Sequence, residues 1–378
     1  MNDWIKNTQE QIRTAAASKK RLRIMGHDSL RDWLPADDSA QAISTHDHVG
    51  VVNYEPSELV VTVRSGTLLQ DLQKTLAQQN QCLPFDPPIS EQRTVGGMVA
   101  CGFAGSTRVS AGSVRDYVLG VHVINGRGEL LQLGGQVMKN VAGYDLGRLY
   151  AGSWGTLGVM AQVSLKVMPI PPADLTLSVL CNAQEAMVFL NQARPQPWPL
   201  VASLWVGRGH EQGQLFLRWR GAHASVTLAH QSWCQHMQRE GKPHETLSTK
   251  DAQIHWAAWR DMRSSFFDPA AHLSQDLWRT VVPWETPVAK DVGWHAMDWH
   301  GGLRWQWRAQ EERQDFYVKS VQQGLRALRV PSHHDRASEH PLTWLALNTA
   351  EQRLQQRVQS SLDPQAVFLP ATLKGIVC

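Results

Sequence analysis

Eighteen of the 28 glycines in this 378-residue chain fall before residue 160, and three clusters of them interrupt otherwise apolar, β-rich sequence. The clusters are Met25-Gly26-His27-Asp28-Ser29, Thr94-Val95-Gly96-Gly97-Met98-Val99-Ala100-Cys101-Gly102 and Gly152-Ser153-Trp154-Gly155-Thr156-Leu157-Gly158-Val159. Glycine admits positive φ and lets successive backbone N–H groups converge on an anion, so such loops can enclose a pyrophosphate without basic side chains. Taken singly each reads as a tight turn. Three within 160 residues weaken that reading. Neither G-x-G-x-x-G after a strand nor G-x-x-x-x-G-K-[ST] occurs, so neither a Rossmann fold nor a P-loop is signalled.

Between the clusters the periodicities are ordinary. The segment up to about residue 20 reads as a helix with Trp4, Ile5, Ile12 and Ala16 on one face, leading into a strand at 21–25. Residues 49–54 and 59–63 read as strands around a Glu55-Pro56-Ser57 turn. Thr67, with Gln70 three residues on, predicts a capped helix start, continued by Leu68, Leu72 and Leu76. Residues 84–115 show neither period. A hairpin follows over 118–133, turning at Asn125-Gly126-Arg127-Gly128, and Val159 to Val167 alternate as a strand with one buried face. Prolines at 169, 171 and 172 mark a domain boundary. Beyond it, strands at 175–180, 201–206, 214–219 and 303–307 alternate with helices near 184–194 and 223–239, which predicts an antiparallel sheet faced by helices.

Several function classes are excluded. A net charge of +3 leaves no nucleic-acid footprint, since the densest basic run, Lys19 to Arg23, is interrupted by Leu22. No apolar run reaches 18 residues, and the N-terminus lacks the pattern of a secretory signal, so the expected location is the cytoplasm. Five cysteines without a C-x-x-C pair predict reduced, mostly buried thiols and neither a zinc nor an iron–sulfur site. The second half has its own bias, with 13 of 16 tryptophans and 12 of 16 histidines after residue 190.

The first 170 residues resemble flavoproteins with the FAD-binding domain of p-cresol methylhydroxylase (PCMH) and vanillyl-alcohol oxidase, and within them the second flavin-binding subunits of bacterial glycolate oxidases. The resemblance rests on Asn53-Tyr54-Glu55-Pro56-Ser57-Glu58, Leu83-Pro84-Phe85-Asp86-Pro87-Pro88, the run Gly96 to Gly102, Gly112-Ser113-Val114-Arg115-Asp116-Tyr117, and Val137-Met138-Lys139-Asn140-Val141-Ala142-Gly143-Tyr144. It implies an α+β chain in three parts. A PCMH-type FAD-binding domain of two α+β subdomains occupies 1–172, an antiparallel-sheet α+β cap 173–330, and a C-terminal segment packing back on the flavin domain 331–378. It also implies that Gly26, His27, Asp28 and Ser29 wrap the pyrophosphate. Thr94, Gly96, Gly97, Ala100 and Gly102 then follow the ribityl and diphosphate path, and Gly158 and Val159 meet the adenine side. Pro87, Asn140 and Tyr144 are carried as further cofactor-binding residues with no atom assigned.

In covalent relatives a histidine in a loop like Gly26-His27-Asp28 bears the flavin. Only one of the usual run of glycines is present here, so the reading favours noncovalent FAD. The spacing of His295, His300, His333, His334 and His340 does not reproduce the metal site of hydroxy-acid dehydrogenases, so these are read as surface or interface histidines and no metal is assigned. Trp299-His300-Gly301-Gly302-Leu303-Arg304-Trp305 resembles a family W-x-G-x-L-R-W element. Arg304 could grip a carboxylate, but a salt-bridged sheet residue is preferred. In the closing Leu362-Asp363-Pro364 segment, Leu369 and Ala371 replace the family's Asn and Gly.

The function expected is an FAD-binding subunit of a glycolate oxidase complex, taking glycolate to glyoxylate. Because the chain has no cysteine cluster, electrons leave through another subunit. The resemblance implies two partners, a larger homologous FAD subunit and an iron–sulfur subunit, with membrane contact at the inner membrane only through them. Two alternatives stay open: a self-sufficient FAD dehydrogenase of another small 2-hydroxy acid, and a flavin-binding structural subunit. No catalytic residue is assigned.

Overall fold

The computed structural model describes residues 3–30, 33, 39–135, 145–209, 211–288, 293–331 and 349–368. Helix α1 (Asp3–Ser18) places Ile5, Ile12 and Ala15 in one hydrophobic cluster with Leu22 of β1 (Leu22–Met25) and Ile43 of β2 (Gln41–Ser44), and the two strands pair in parallel. A second layer is built from β3 (Val51–Glu55), β4 (Val60–Arg64), α2 (Leu69–Ala77), β5 (Gln81–Cys82), α3 (Val95–Cys101), α4 (Arg108–Ala111), α5 (Val114–Tyr117), β6 (Val118–Ile124), β7 (Leu130–Gly134), β8 (Val159–Lys166) and β9 (Met168–Pro169). Five of its strands form an antiparallel sheet in the order β3-β4-β8-β6-β7, and β5 pairs with β9. Val61, Val63, Val121, Val123, Val163 and Leu165 of this sheet share a cluster with Leu69, Leu72 and Leu76 of α2 and with Val95, Met98 and Val99 of α3. Helix α3 is thereby fixed on the sheet, which holds its glycines in place.

Two local expectations fail. Thr67 is not the cap of α2, because the helix begins at Leu69 after an extended Leu68, and the Thr67 hydroxyl accepts the Gly50 amide at 2.8 Å instead. The stretch 84–115 is not devoid of helix. It holds α3, α4 and α5, each of seven residues or fewer and too short to show a 3.6-residue repeat.

The second half comprises β10 (Ala173–Cys181), α6 (Ala183–Ala193), β11 (Leu200–Arg208), β12 (Gly213–Gly221), α7 (His223–Arg239), β13 (His244–Thr246), α8 (Thr249–Arg260), β14 (Gln275–Val281), β15 (Trp294–Asp298), β16 (Leu303–Ala309), α9 (Arg313–Gln322) and β17 (Arg326–Arg329). Its eight strands form one antiparallel sheet, ordered β13-β10-β12-β11-β15-β16-β14-β17. Both faces are buried. Leu215, Leu217 and Trp219 pack with Phe189 and Leu190 of α6 and Trp233 of α7, while Phe216, Leu204 and Trp305 pack with Trp256 and Trp259 of α8. Nine of the tryptophans after residue 190 are buried: 205, 219, 233, 256, 259, 278, 299, 305 and 307. Core packing therefore accounts for most of the tryptophan excess in the second half.

The chain returns to the first half after α10 (Thr349–Leu362). The Leu22 amide donates to the Val367 carbonyl at 2.7 Å, and the Gly126 amide donates to Leu362. The buried Asp363 carboxylate accepts the amides of Val367 and Phe368, both at 2.9 Å. Phe368, fully buried, completes the cluster around Leu22, Ile43, Ile124 and Val159. Leu369 and Ala371 lie outside the described residues.

Candidate functional site

Where β1 ends, the chain turns through Gly26 to Leu30 and faces α3 across a cleft that opens to solvent. Gly26, His27, Asp28 and Ser29 form one wall, Thr94, Gly96, Gly97 and Ala100 the opposite one, and Gly155, Gly158 and Met160 lie between them. The structure thus brings nine of the sequence-predicted residues together: the four of the loop, these four around α3, and Gly158. Pro87, Gly102 and Val159 are buried nearby without lining the cleft. Gly102 closes α3 in a left-handed conformation, and the Val159 side chain belongs to the core behind it. Asn140 and Tyr144 lie outside the described residues.

The two glycine walls work differently. Gly26 is required by close approach, since a Cβ there would stand 2.8 Å from both Cγ2 and Oγ1 of Thr94. Thr94 cannot easily yield, because its hydroxyl caps α3 by accepting the Gly97 amide at 3.0 Å. The Gly96 amide is also engaged, donating to the Ser65 carbonyl at 2.8 Å, so α3 contributes a flat wall more than a set of donors. In the loop the reverse holds. The amides of His27, Asp28 and Ser29 donate to no other described residue, and Asp28 adopts φ 57°, the left-handed turn that aligns successive N–H groups into an anion-binding concavity. Arg23 pairs with the Asp28 carboxylate and steadies this turn, and His27 packs against His46 with ring centroids 4.3 Å apart. Among the described residues no lysine or arginine lines the cleft, so what they offer a phosphate there is backbone donors. The uncommitted amides, the glycine faces and one sealed hydroxyl, Ser65, fit the pyrophosphate end of FAD.

Sequence reasoning missed Ser65, Thr45 and Met160, which line the same cleft. Ser65 follows β4 directly, and its neighbour Gly66 was the available signal. Also missed was a second cavity, of about 470 Å³, between the halves. The rings of Trp154, Phe103 and Trp33 lie between the two, with centroids 5.1–6.3 Å apart. Phe103, Trp259, Met262 and Trp305 wall the second cavity, while Ser106, Arg279 and Asp298 give it polar groups. The Arg279 guanidinium lies over Trp299 at 4.9 Å and near Trp305 at 5.8 Å. Asp298 is buried and accepts from Ser106 Oγ at 2.9 Å, Trp259 Nε1 at 2.9 Å and its neighbour's amide, Trp299 N, at 2.7 Å. Burial pushes its carboxyl up to about 6, although those three donors and the Arg279 charge favour the ionised form. Ser106 belongs to the first half and Asp298 to the second, so this carboxylate fastens the cap sheet over the cavity.

His295 and His300 are not surface residues. Both are buried: His295 packs against Trp205 with centroids 4.8 Å apart, and His300 Nδ1 hydrogen-bonds Ser203 Oγ at 2.8 Å. Burial, helped by the Arg194 charge, lowers the His300 pKa to about 4, so it is a neutral core residue. His333, His334 and His340 lie outside the described residues, among which no group of three His, Cys, Asp or Glu side chains is placed to hold a metal ion. Nor does Arg304 have a carboxylate partner among the described residues. Its buried guanidinium donates to the Thr286 carbonyl at 3.0 Å and lies against the sulfurs of Met187 and Met297, away from both cavities, and burial lowers its pKa to about 10.

A family model described as an FAD binding domain matches residues 5–134. The glycolate oxidase subunit GlcE of Escherichia coli (strain K12) is 35% identical over 98% of this chain and 97% of its own length. The glycolate oxidase subunit GlcD of Bacillus subtilis (strain 168) is 33% identical, but over only 34% of this chain and 28% of its own length. Among solved structures, an alkyldihydroxyacetonephosphate synthase superposes with a TM-score of 0.68 over 97% of this chain and 76% of its own, at 14% identity, which speaks to the fold alone. The mixed α+β architecture, the FAD-domain match and the full-length likeness agree: this chain belongs to the GlcE family of FAD-binding oxidoreductase subunits.

Proposed function

We propose that this chain is the flavin-holding, electron-relaying subunit of a complex that oxidises glycolate to glyoxylate. One observation carries the reading: an amide-lined cleft and an aromatic cavity beneath the cap sheet sit side by side, with Trp154, Phe103 and Trp33 between them. FAD, when bound, takes up the two electrons of a hydride and passes them on singly. In this reading residues 1–172 form the flavin domain and 173–330 its cap. The loop Gly26 to Ser29 holds the pyrophosphate, Thr94, Gly96, Gly97 and Ala100 flatten the opposite wall, and Gly158 admits the chain of the cofactor near its adenine end. Asn140 and Tyr144 are retained as further cofactor contacts, and Pro87, Gly102 and Val159 as residues that support the cleft from behind its lining. The cap residues around Asp298 exclude water from the second cavity, which strengthens the field of Arg279 there. His27 packs against His46 at the mouth of the cleft, and the cofactor is held noncovalently.

The full-length likeness to GlcE and the partial one to GlcD support a multi-subunit assembly, with a larger FAD subunit and an iron–sulfur subunit as partners. Among the described residues no helix is long and apolar enough to cross a membrane, so a cytoplasmic chain touching the inner membrane only through partners is the proposed placement. A second reading, a self-sufficient dehydrogenase of another small 2-hydroxy acid, is favoured by Arg279, a cation beside an apolar cavity and suited to a carboxylate. Anaerobic addition of glycolate to the yellow protein, alone and with its partners, separates the two. Bleaching only with partners supports relay, bleaching alone supports the second reading, and a colourless protein in both preparations refutes the flavin role. Colour retained in an acid-precipitated pellet would refute noncovalent binding.

A further inference from the structure

We infer that the Ser65 hydroxyl is a hydrogen-bond donor to the cofactor in the first cleft, a contact that none of the glycine motifs contains. The inference rests on the flavin reading and adds a specific side chain to it.

Ser65 sits one residue past β4, at the base of the cleft, and is 1% exposed. Its backbone is fixed on both sides: the amide donates to the Ala161 carbonyl at 3.0 Å, and the carbonyl accepts the Gly96 amide at 2.8 Å. A Cβ on Gly96 would stand 2.7 Å from the Ser65 Cβ, so α3 presses directly on this side chain. The hydroxyl itself has no partner among the described residues. A buried hydroxyl left without a partner is costly, so the position calls for one. Of the threonines lining the cleft, Thr45 Oγ1 already donates to the Met25 carbonyl, and Thr94 Oγ1 is held in place by accepting the Gly97 amide. An apolar residue would suit a purely structural position here. A hydroxyl bordering an anion-shaped cleft is suited to a ligand oxygen arriving from the open side, and the chain is arranged so that this donor is satisfied when the cofactor is bound.

The test is FAD titration of the apoprotein, followed by flavin fluorescence quenching, together with melting temperatures of apo and FAD-loaded protein, for wild type, Ser65→Ala and Ser65→Cys. Both variants should bind FAD about ten-fold more weakly, the value of one hydrogen bond to a polar or charged acceptor. Their apo melting temperatures should match or exceed wild type, because the unsatisfied hydroxyl is gone. Affinity within two-fold of wild type in both variants would overturn the inference and leave the flavin reading intact. Parallel loss of apo stability and affinity in both would make Ser65 a structural residue, also overturning it. Wild-type apoprotein that takes up no FAD would remove the flavin reading itself and the inference with it.

Discussion

Substituting Gly26 by alanine tests whether the cleft depends on the close approach of its two walls. The new Cβ would lie 2.8 Å from two atoms of the Thr94 side chain, where carbon contacts normally settle at about 3.5–4.0 Å. A shift of roughly 0.7–1 Å is therefore forced on one wall. Gly26 is not in the positive-φ region, so crowding alone sets the cost. If Thr94 moves, it gives up the α3 cap, worth about 1 kcal/mol, in addition to overpacking of about 1–3 kcal/mol. If the loop moves instead, the amides of His27, Asp28 and Ser29 leave their places and FAD affinity falls. Either route costs about 2–4 kcal/mol, or roughly 30- to 1,000-fold when it is expressed in the FAD dissociation constant. Flavin titration and denaturant unfolding of the apoprotein would divide the cost between affinity and stability. Gly50→Ala is the control, because φ there is 114° and the only close neighbour is an Arg64 nitrogen at 3.8 Å. It should lose about 1–2 kcal/mol of stability from backbone strain with FAD affinity unchanged. Gly26→Ala protein that keeps FAD affinity within three-fold and loses less than about 0.5 kcal/mol would refute the close-approach argument.

Phe368→Ala should cost about 3–5 kcal/mol in denaturant unfolding, because the ring is fully buried beside Leu22 and Ile43, and a loss under 1 kcal/mol would show that the C-terminal return is dispensable. Arg304→Met should leave stability within about 1 kcal/mol of wild type, since it replaces a buried guanidinium that has no carboxylate partner among the described residues with an apolar chain of similar length. Its FAD affinity should not change, and a large loss of affinity would place Arg304 at the site after all. Acid should destabilise the fold between pH 6.5 and 4. His48, His255 and His300 are each lowered to about 4, chiefly by burial, so the stability they contribute is fully present above the unfolded value of 6.5 and is lost as pH falls toward 4. Asp298, raised to about 6, works oppositely: its contribution is present below the unfolded value and lost as pH rises through 6. Three histidines shifted one way outweigh one aspartate shifted the other way by a similar amount. A His300→Gln variant should show a shallower fall of melting temperature with acid, and an unaltered slope would contradict a neutral, buried His300.

The elements legible in the sequence were those with one buried face and a long enough run: α1, β6, β7 and β8 show their period directly. Helix α3 does not, since two glycines in its first turn argue against a helix, and it forms because Thr94 caps it and the sheet buries Met98 and Val99. In the second half both sheet faces are covered, so polar–apolar alternation disappears from β11 and β12, and β14 was missed because its polar members are buried in ion pairs. Asp276, for instance, holds Arg313 and Arg329. The loop at Gly26 could be read as a contiguous motif. Ser65 and the second cavity could not, because they are assembled from distant segments: Ser106 and Asp298 meet across 192 positions of sequence.

The contrast between Arg304 and Arg279 shows what strand parity adds to a motif. The W-x-G-x-L-R-W likeness drew attention to Arg304 because it lies beside Trp305, but adjacent residues of a strand point to opposite faces. Trp305 lines the second cavity, so Arg304 must point away from it, into the layer of Met187 and Thr286. The register pairs Trp305 with Arg279 across β16 and β14, and directly opposed residues share a face. Among the described residues the cavity is therefore lined by Arg279, in a strand with no motif at all, and by Arg260, which is paired with Asp86 and Asp261. Exchanging the two roles by mutation is a direct check: Arg279→Met should alter the FAD spectrum or the response to a small carboxylate, and Arg304→Met should alter neither. The reverse pattern would mean that the face assignment of β16, and with it the second cavity, is wrong.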